Sequence, residues 1–200
     1  MLAMLFAALI AAPVQLSLAP GGKIVIEGDS SAHAWKCQAS GFDGAGEAQS
    51  SEEVAGSLSA FEIGVPVRGI SCGHDSMDEK LRDALKADKF ARIDFTFTSA
   101  ALQPGAPKLK LIGKLAIAGV EKNVTTVVAV SKAGGNIWTA SGAVHFKMSD
   151  FGVEPPSAML GLMKTADPIT IRFELKILAN QSDAERAGHA QAMRPSAAER

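Results

Sequence analysis

From Val14 onward, apolar residues recur mostly at every second position, the period of a strand with one dry and one wet face. Ile169, Ile171, Phe173, Leu175 and Ile177 alternate with Thr170, Arg172, Glu174 and Lys176. Ile93, Phe95 and Phe97 oppose Asp94, Thr96 and Thr98, and Leu109, Leu111, Leu115 and Ile117 oppose Lys108, Lys110 and Lys114. Phe61, Ile63, Val65 and Val67 form a further inner row, with Pro66 on the other face pointing to an edge or a bulge. Adding 14–27 (broken by Pro20-Gly21-Gly22), 33–42, 123–131 and 136–148 gives eight predicted strands joined by Gly- or Pro-bearing turns. Antiparallel closure into an all-β, eight-stranded barrel is the economical way to hide every edge of such a set.

One segment breaks the period. Over 76–86, Met77, Leu81 and Leu85 fall on one helical stripe, and Ser76 and Glu79 have the spacing of a capping box, which predicts a helix lying against the barrel or plugging one mouth. Pro155-Pro156 predicts a second short helical turn through about residue 161, with Met159, Leu160, Leu162 and Met163 as an apolar lid. Upstream, MLAMLFAALIAA is an uncharged apolar run too short to span a bilayer and ending in alanines, as a signal peptide does. No Lys or Arg precedes it, and Ala11, Ala12 and Ala19 compete as the cleavage position. After Leu178 the chain is alanine-rich and charged, with no apolar stripe wide enough to dock. The expected organisation is a signal peptide at 1–12, a barrel domain at 13–178 and a disordered tail at 179–200.

Two hundred residues suit one domain, and a net charge of −1 lacks the basic footprint that nucleic acid requires. His33, His74, His145 and His189 show no zinc-ligand spacing, and the chain has no phosphate loop, no nucleophile elbow and no tyrosine, so neither a metal nor catalysis is expected. Asp75 and Asp78, at the start of the predicted helix, read as a solvated cap favoured by the macrodipole. Asn123-Val124-Thr125 matches a glycosylation sequon inside a strand, a motif short enough to arise by chance. Cys37 and Cys72 are the only cysteines, and in an exported domain an even pair predicts a disulfide. His33 and Trp35 share a face, which puts the indole either in the core, with the imidazole satisfied at the barrel end, or at a ligand mouth.

Four stretches in order carry a resemblance: GDSSAHAW (28–35), SMDEKLRDALKADKFARIDFTF (76–97), GKLAIAGVEKNVTTVVAV (113–130) and SDFGVEPPSAMLGLMKTADPITIRFEL (149–175). The chain resembles the YceI-like family of bacterial periplasmic lipid-binding proteins over about 14–178. Asp29, Ala32 and Ala116 depart from the family's usual residues at positions expected on the strand surface. The resemblance implies a lipocalin-like barrel, periplasmic or secreted, whose interior holds the chain of a polyisoprenoid, a quinone-like lipid or another amphiphile, with no further cofactor. The pocket of this family is a diffuse apolar lining, so the lining is nominated here by inward parity alone.

On that parity the expected lining is Trp35, Met77, Leu81, Phe95, Phe97, Leu111, Trp138, Val144, Phe146 and Phe173, with Trp35, Trp138, Met77 and Leu81 near a mouth. Gly113, Ala140 and Gly142 leave room inside, whereas Phe61, Phe95, Phe97, Phe146 and Phe173 are able to fill it. The expected function is a periplasmic carrier of a long apolar ligand exchanging with membrane lipid. The alternative is an envelope stress or interaction protein whose barrel is filled by its own side chains, since eight strands suit either.

Overall fold

A computed structural model describes residues 13–103, 108–158 and 163–180. The predicted leader, the tail beyond Asn180 and the apolar stretch 159–162 lie outside the described residues. The strands are β1 (Val14–Ser30), β2 (Trp35–Ala39), β3 (Asp43–Ala48), β4 (Leu58–Pro66), β5 (Ile70–Ser71), β6 (Arg92–Leu102), β7 (Lys108–Ile117), β8 (Val120–Gly134), β9 (Ile137–Lys147), β10 (Ser157–Ala158) and β11 (Met163–Asn180). Two α-helices, α1 (Val54–Ser57) and α2 (Asp75–Ala84), and 3-10 turns at Val67–Gly69 and Met148–Phe151 complete the described fold.

Every strand pair is antiparallel, and β1 pairs back onto β11 to close the sheet as an eight-stranded barrel. The circuit reconciles eleven strands with eight staves. β1 pairs with β3 over its first half and with β2 over its second, so β2 and β3 act as one stave bent at Gly41, whose φ of +66° an L side chain rarely adopts. β4 and β5 form a second bent stave, with Pro66 at the bend and the buried Val67 just after it. Pro20-Gly21-Gly22 does not break β1. It forms a bulge between Ala19 and Lys23 that leaves Leu18 and Ile24 on the same inner face. Between β7 and β8 the chain reverses in two residues, Ala118 and Gly119, both at positive φ, as the right-handed twist of a tight hairpin demands.

Within the predicted rows Leu115 and Ile117, and Leu175 and Ile177, are buried, and Ile24 and Ile26 on β1 and Val124 and Val128 on β8 are buried beside them. Sequence reading missed β3, because Gly44 and Gly46 supply its inner face with no large apolar side chain. Gly46 lies directly opposite Phe61, and a Cβ there would collide with that ring and with the backbone of Ala60. The second short helix is α1 rather than a turn after Pro155-Pro156. In that region Ser157–Ala158 is extended and pairs with Met163–Lys164.

Helix α2 also differs from its prediction. It starts at Asp75 with His74 as N-cap, and the backbone N–H groups of Met77 and Asp78 bond to the His74 carbonyl. The Ser76–Glu79 capping box is not formed, since Ser76 already lies inside the first turn.

Candidate functional site

The barrel interior holds two apolar compartments. One, of about 230 Å³, opens at the end where α2 packs, and the other, of about 160 Å³, runs from mid-barrel toward α1. Ile26, Ile70, Ile93 and Ile171 line both, so they are successive stretches of one tunnel. Of the residues nominated from sequence, Trp35, Met77, Leu81 and Phe146 stand on the wall of the mouth compartment. Phe95, Phe97, Leu111, Val144 and Phe173 stand on the wall of the deep one. Trp138 stands on neither. It is packed with Val14, Ile177 and Ala179 at the opposite end from α2, under the Lys132 ammonium 5.8 Å from its ring. Parity put the indole indoors, but its height along the barrel depends on strand stagger, which no alternation encodes.

The mouth is built by the motifs that carry little interior side chain of their own. In GDSSAHAW, Gly28 pairs with Trp35 across β1 and β2, and the indole lies over the glycine where any Cβ would collide with it. The indole N–H donates to the Asp29 carbonyl at 3.2 Å, and Ser30 Oγ accepts the N–H groups of Ala32 and His33 while donating to the His33 carbonyl. His33 Nδ1–H donates to the Ala34 carbonyl at 2.9 Å. Trp35 is thus half-buried at the rim, packed against the core cluster of Ile24, Ile26 and Cys37, with its polar atom satisfied.

In SDFG, the Asp150 carboxylate accepts the Lys147 N–H at 3.2 Å, Phe151 is 1% exposed against Phe146 with ring centroids 4.9 Å apart, and Gly152 ends the turn at φ +64°. Ser149 donates both its hydroxyl and its backbone N–H to Asp167, at 2.6 and 2.8 Å, tying this turn to β11 and holding the Asp167 carboxyl below its ordinary range.

Asp78 departs most from the sequence expectation. Instead of capping the helix in water it is buried, and its carboxylate accepts the Cys72 N–H at 2.6 Å and the Ser71 hydroxyl at 2.8 Å. The Cys72 N–H first, then the Ser71 hydroxyl, hold its carboxyl below the ordinary carboxylate range. Cys72 is bonded to Cys37 on β2, so α2 is fastened to the barrel wall by a disulfide and a charge-assisted hydrogen-bond pair one residue apart. Both cysteines lie on the mouth wall.

This lowered native value sets a direction for pH. Its contribution to stability is complete above the ordinary carboxylate range and is lost as pH falls through the native value. Asp78→Asn is therefore expected to lower the melting temperature at neutral pH, with the gap to the parent narrowing in acid. Thermal melts of both proteins across the acid range check this, and a gap that stays constant or widens in acid would contradict it.

Two glycines read from sequence as leaving interior room do not. A Cβ on Gly113 would meet the Phe95 ring, and one on Gly142 would meet the Phe173 ring and the Val127 carbonyl. The aromatic rings lie across the glycines and fill that space. Ala140 does border the deep compartment. The interior polar group of that compartment, Thr126, is satisfied by donating to the Ala143 carbonyl at 2.7 Å. Among the described residues no cluster of three or more His, Cys, Asp or Glu has metal-site geometry, and no helix is long and apolar enough to cross a membrane. Sequence reading overlooked Ile70, Lys80 and Lys164 on the cavity wall. For Lys80 a signal existed, since it lies three residues after Met77 and one before Leu81, on the edge of the same helical stripe.

The family model for the YceI-like domain matches residues 27–177. A search of the curated proteins finds no match. Among solved structures the fold is similar to Burkholderia cenocepacia BcnA, with a TM-score of 0.65 at 20% identity, covering 78% of this chain and 95% of that one. It is also similar to a polyisoprenoid binding domain from Saccharophagus degradans implicated in plant cell wall breakdown, with a TM-score of 0.64 at 14% identity, covering 82% of this chain and 98% of that one.

Proposed function

Because this chain belongs to the YceI-like family, whose model spans most of its length, we propose that it is a binding protein that takes the chain of a long amphiphile, of the isoprenoid class, into the barrel. The observation that carries this reading is the tunnel, walled by Ile, Leu, Val and Phe and still hollow after Phe95 and Phe173 have filled the space above their glycines. Its length suits a linear chain. From Ile169 at the mouth to Ile177 at the deep end the β11 backbone rises roughly 27 Å, or about 20 Å along the axis of a tilted barrel. Each methylene buried there contributes about 0.8 kcal/mol, so affinity accrues along the chain without polar recognition. A barrel filled by its own side chains fits less well, since the phenylalanines expected to fill it leave both compartments open.

The proposed setting is the periplasm, where a carrier would exchange such a lipid with membranes. The apolar leader and the Cys37–Cys72 disulfide support export. Native mass spectrometry of protein purified from a membrane-containing lysate tests both parts. A co-purified lipid mass on a chain lacking its first residues is the expected result. A clean, ligand-free mass on repeated preparation argues for the filled-barrel interaction protein, and an intact Met1 terminus argues against export.

A further inference from the structure

The two compartments differ in charge. The deep one has no charged residue on its wall, and Thr126, its polar member, is already hydrogen-bonded. The mouth compartment has Lys80 and Lys164 on its wall, with the hydroxyls of Ser30 and Thr165, and no carboxylate among the residues that line it. Lys36, Lys114 and Lys132 are paired on the outer face, with Glu27 at 3.0 Å, Glu121 at 2.9 Å and Glu52 at 2.8 Å, and what sets Lys80 and Lys164 apart from the remaining unpaired lysines is their place on the cavity wall. Lys80 and Lys164 make no ion pair among the described residues.

They come from separate elements that are both anchored. Lys80 projects from α2, which the Asp78 bonds and the disulfide hold to the wall. Lys164 is the second residue of β11, its backbone N–H bonded to Ser31 Oγ and the next N–H, of Thr165, bonded to the Pro156 carbonyl. Two unneutralised ammonium groups at the opening of a low-dielectric tunnel concentrate positive potential where the polar end of a threaded amphiphile would sit.

Resting on the reading of the tunnel as a lipid site, we infer that the bound amphiphile carries an anionic head, a phosphate or a carboxylate, held at the α2 mouth by Lys80 and Lys164 while its chain occupies the deep compartment. An anionic head gains charge-assisted hydrogen bonds from both ammonium groups, whereas a neutral alcohol or quinone head gains ordinary ones. The exposure of both lysines keeps the preference modest and salt-dependent.

Titrating delipidated protein with hexadecyl phosphate, palmitate and hexadecanol, which share one chain length, separates head from chain. The expected result is that at least one anionic probe binds about tenfold more tightly than the alcohol at low salt. In the Lys80→Ala/Lys164→Ala double variant that preference disappears, the anionic probes losing far more affinity than hexadecanol while the melting temperature holds. Phosphate ahead of palmitate assigns a phosphorylated head, and palmitate level or ahead assigns a carboxylate. Equal affinity for all three in the parent, or an anionic preference that survives in the double variant, overturns the head assignment and leaves the lipid site standing. Failure of all three to bind removes both.

Discussion

Replacing Ala140 by leucine is expected to weaken retention of a long-chain ligand roughly thirtyfold while the melting temperature holds or rises. Ala140 is inward-facing on β9 and borders the deep compartment of about 160 Å³. Three added carbons there displace ligand methylenes worth about 0.8 kcal/mol each and at the same time give the wall contacts that it lacks when empty. Gly142, the next inward position on the same strand, should respond in the opposite sense. Its missing Cβ is the seat of the Phe173 ring, so Gly142→Leu forces that ring and the β8 backbone apart at a cost of about 1–3 kcal/mol. Thr96→Leu, on the outer face, serves as the control for added apolar bulk alone. Ligand occupancy by native mass spectrometry, read beside thermal melts of the three variants, checks the set. A drop in stability for Ala140→Leu comparable to that for Gly142→Leu would mean the barrel is already full, and the carrier reading would fail with it.

The second large effect is on stability. Cys37→Ala, or reduction of the parent, is expected to cost about 3–4 kcal/mol in the chain-entropy account of a disulfide closing a separation of 35 residues. For a domain of this size that lowers the melting temperature by on the order of 10 °C. The loss should be local before it is global. Cys72 lies between β5 and α2, so freeing it loosens the segment that fastens α2 over the mouth, while the β7–β8–β9 wall keeps its ladder. Hydrogen exchange under reducing conditions reads this as earlier exchange across α2 than across β8. Uniform loss of protection, or no change in melting temperature, would show that the bridge does not hold α2 against the barrel.

How much of this was legible beforehand follows from which interactions are periodic. Alternation along β6, β7, β9 and β11 depends only on each residue's neighbours two positions away, so the inner faces of those staves and the count of eight could be read from the chain, while the disulfide followed from there being only two cysteines. The ordered motifs likewise pointed to the family before any coordinate was available. The hollow, however, depends on what two strands do to each other across the interior. Gly113 and Gly142 looked like empty space until Phe95 and Phe173 were found lying on them, and Trp138 looked like a mouth residue until stagger placed it at the opposite end from α2. Asp78 reads as a solvated helix cap because nothing periodic shows that the chain turns back after β5 and sets the Ser71 hydroxyl and the Cys72 N–H against the first turn of α2. The mouth lysines stand out for the same reason. Lys80 and Lys164 are 84 positions apart, and only the fold brings them to one opening and shows that no carboxylate lines it with them.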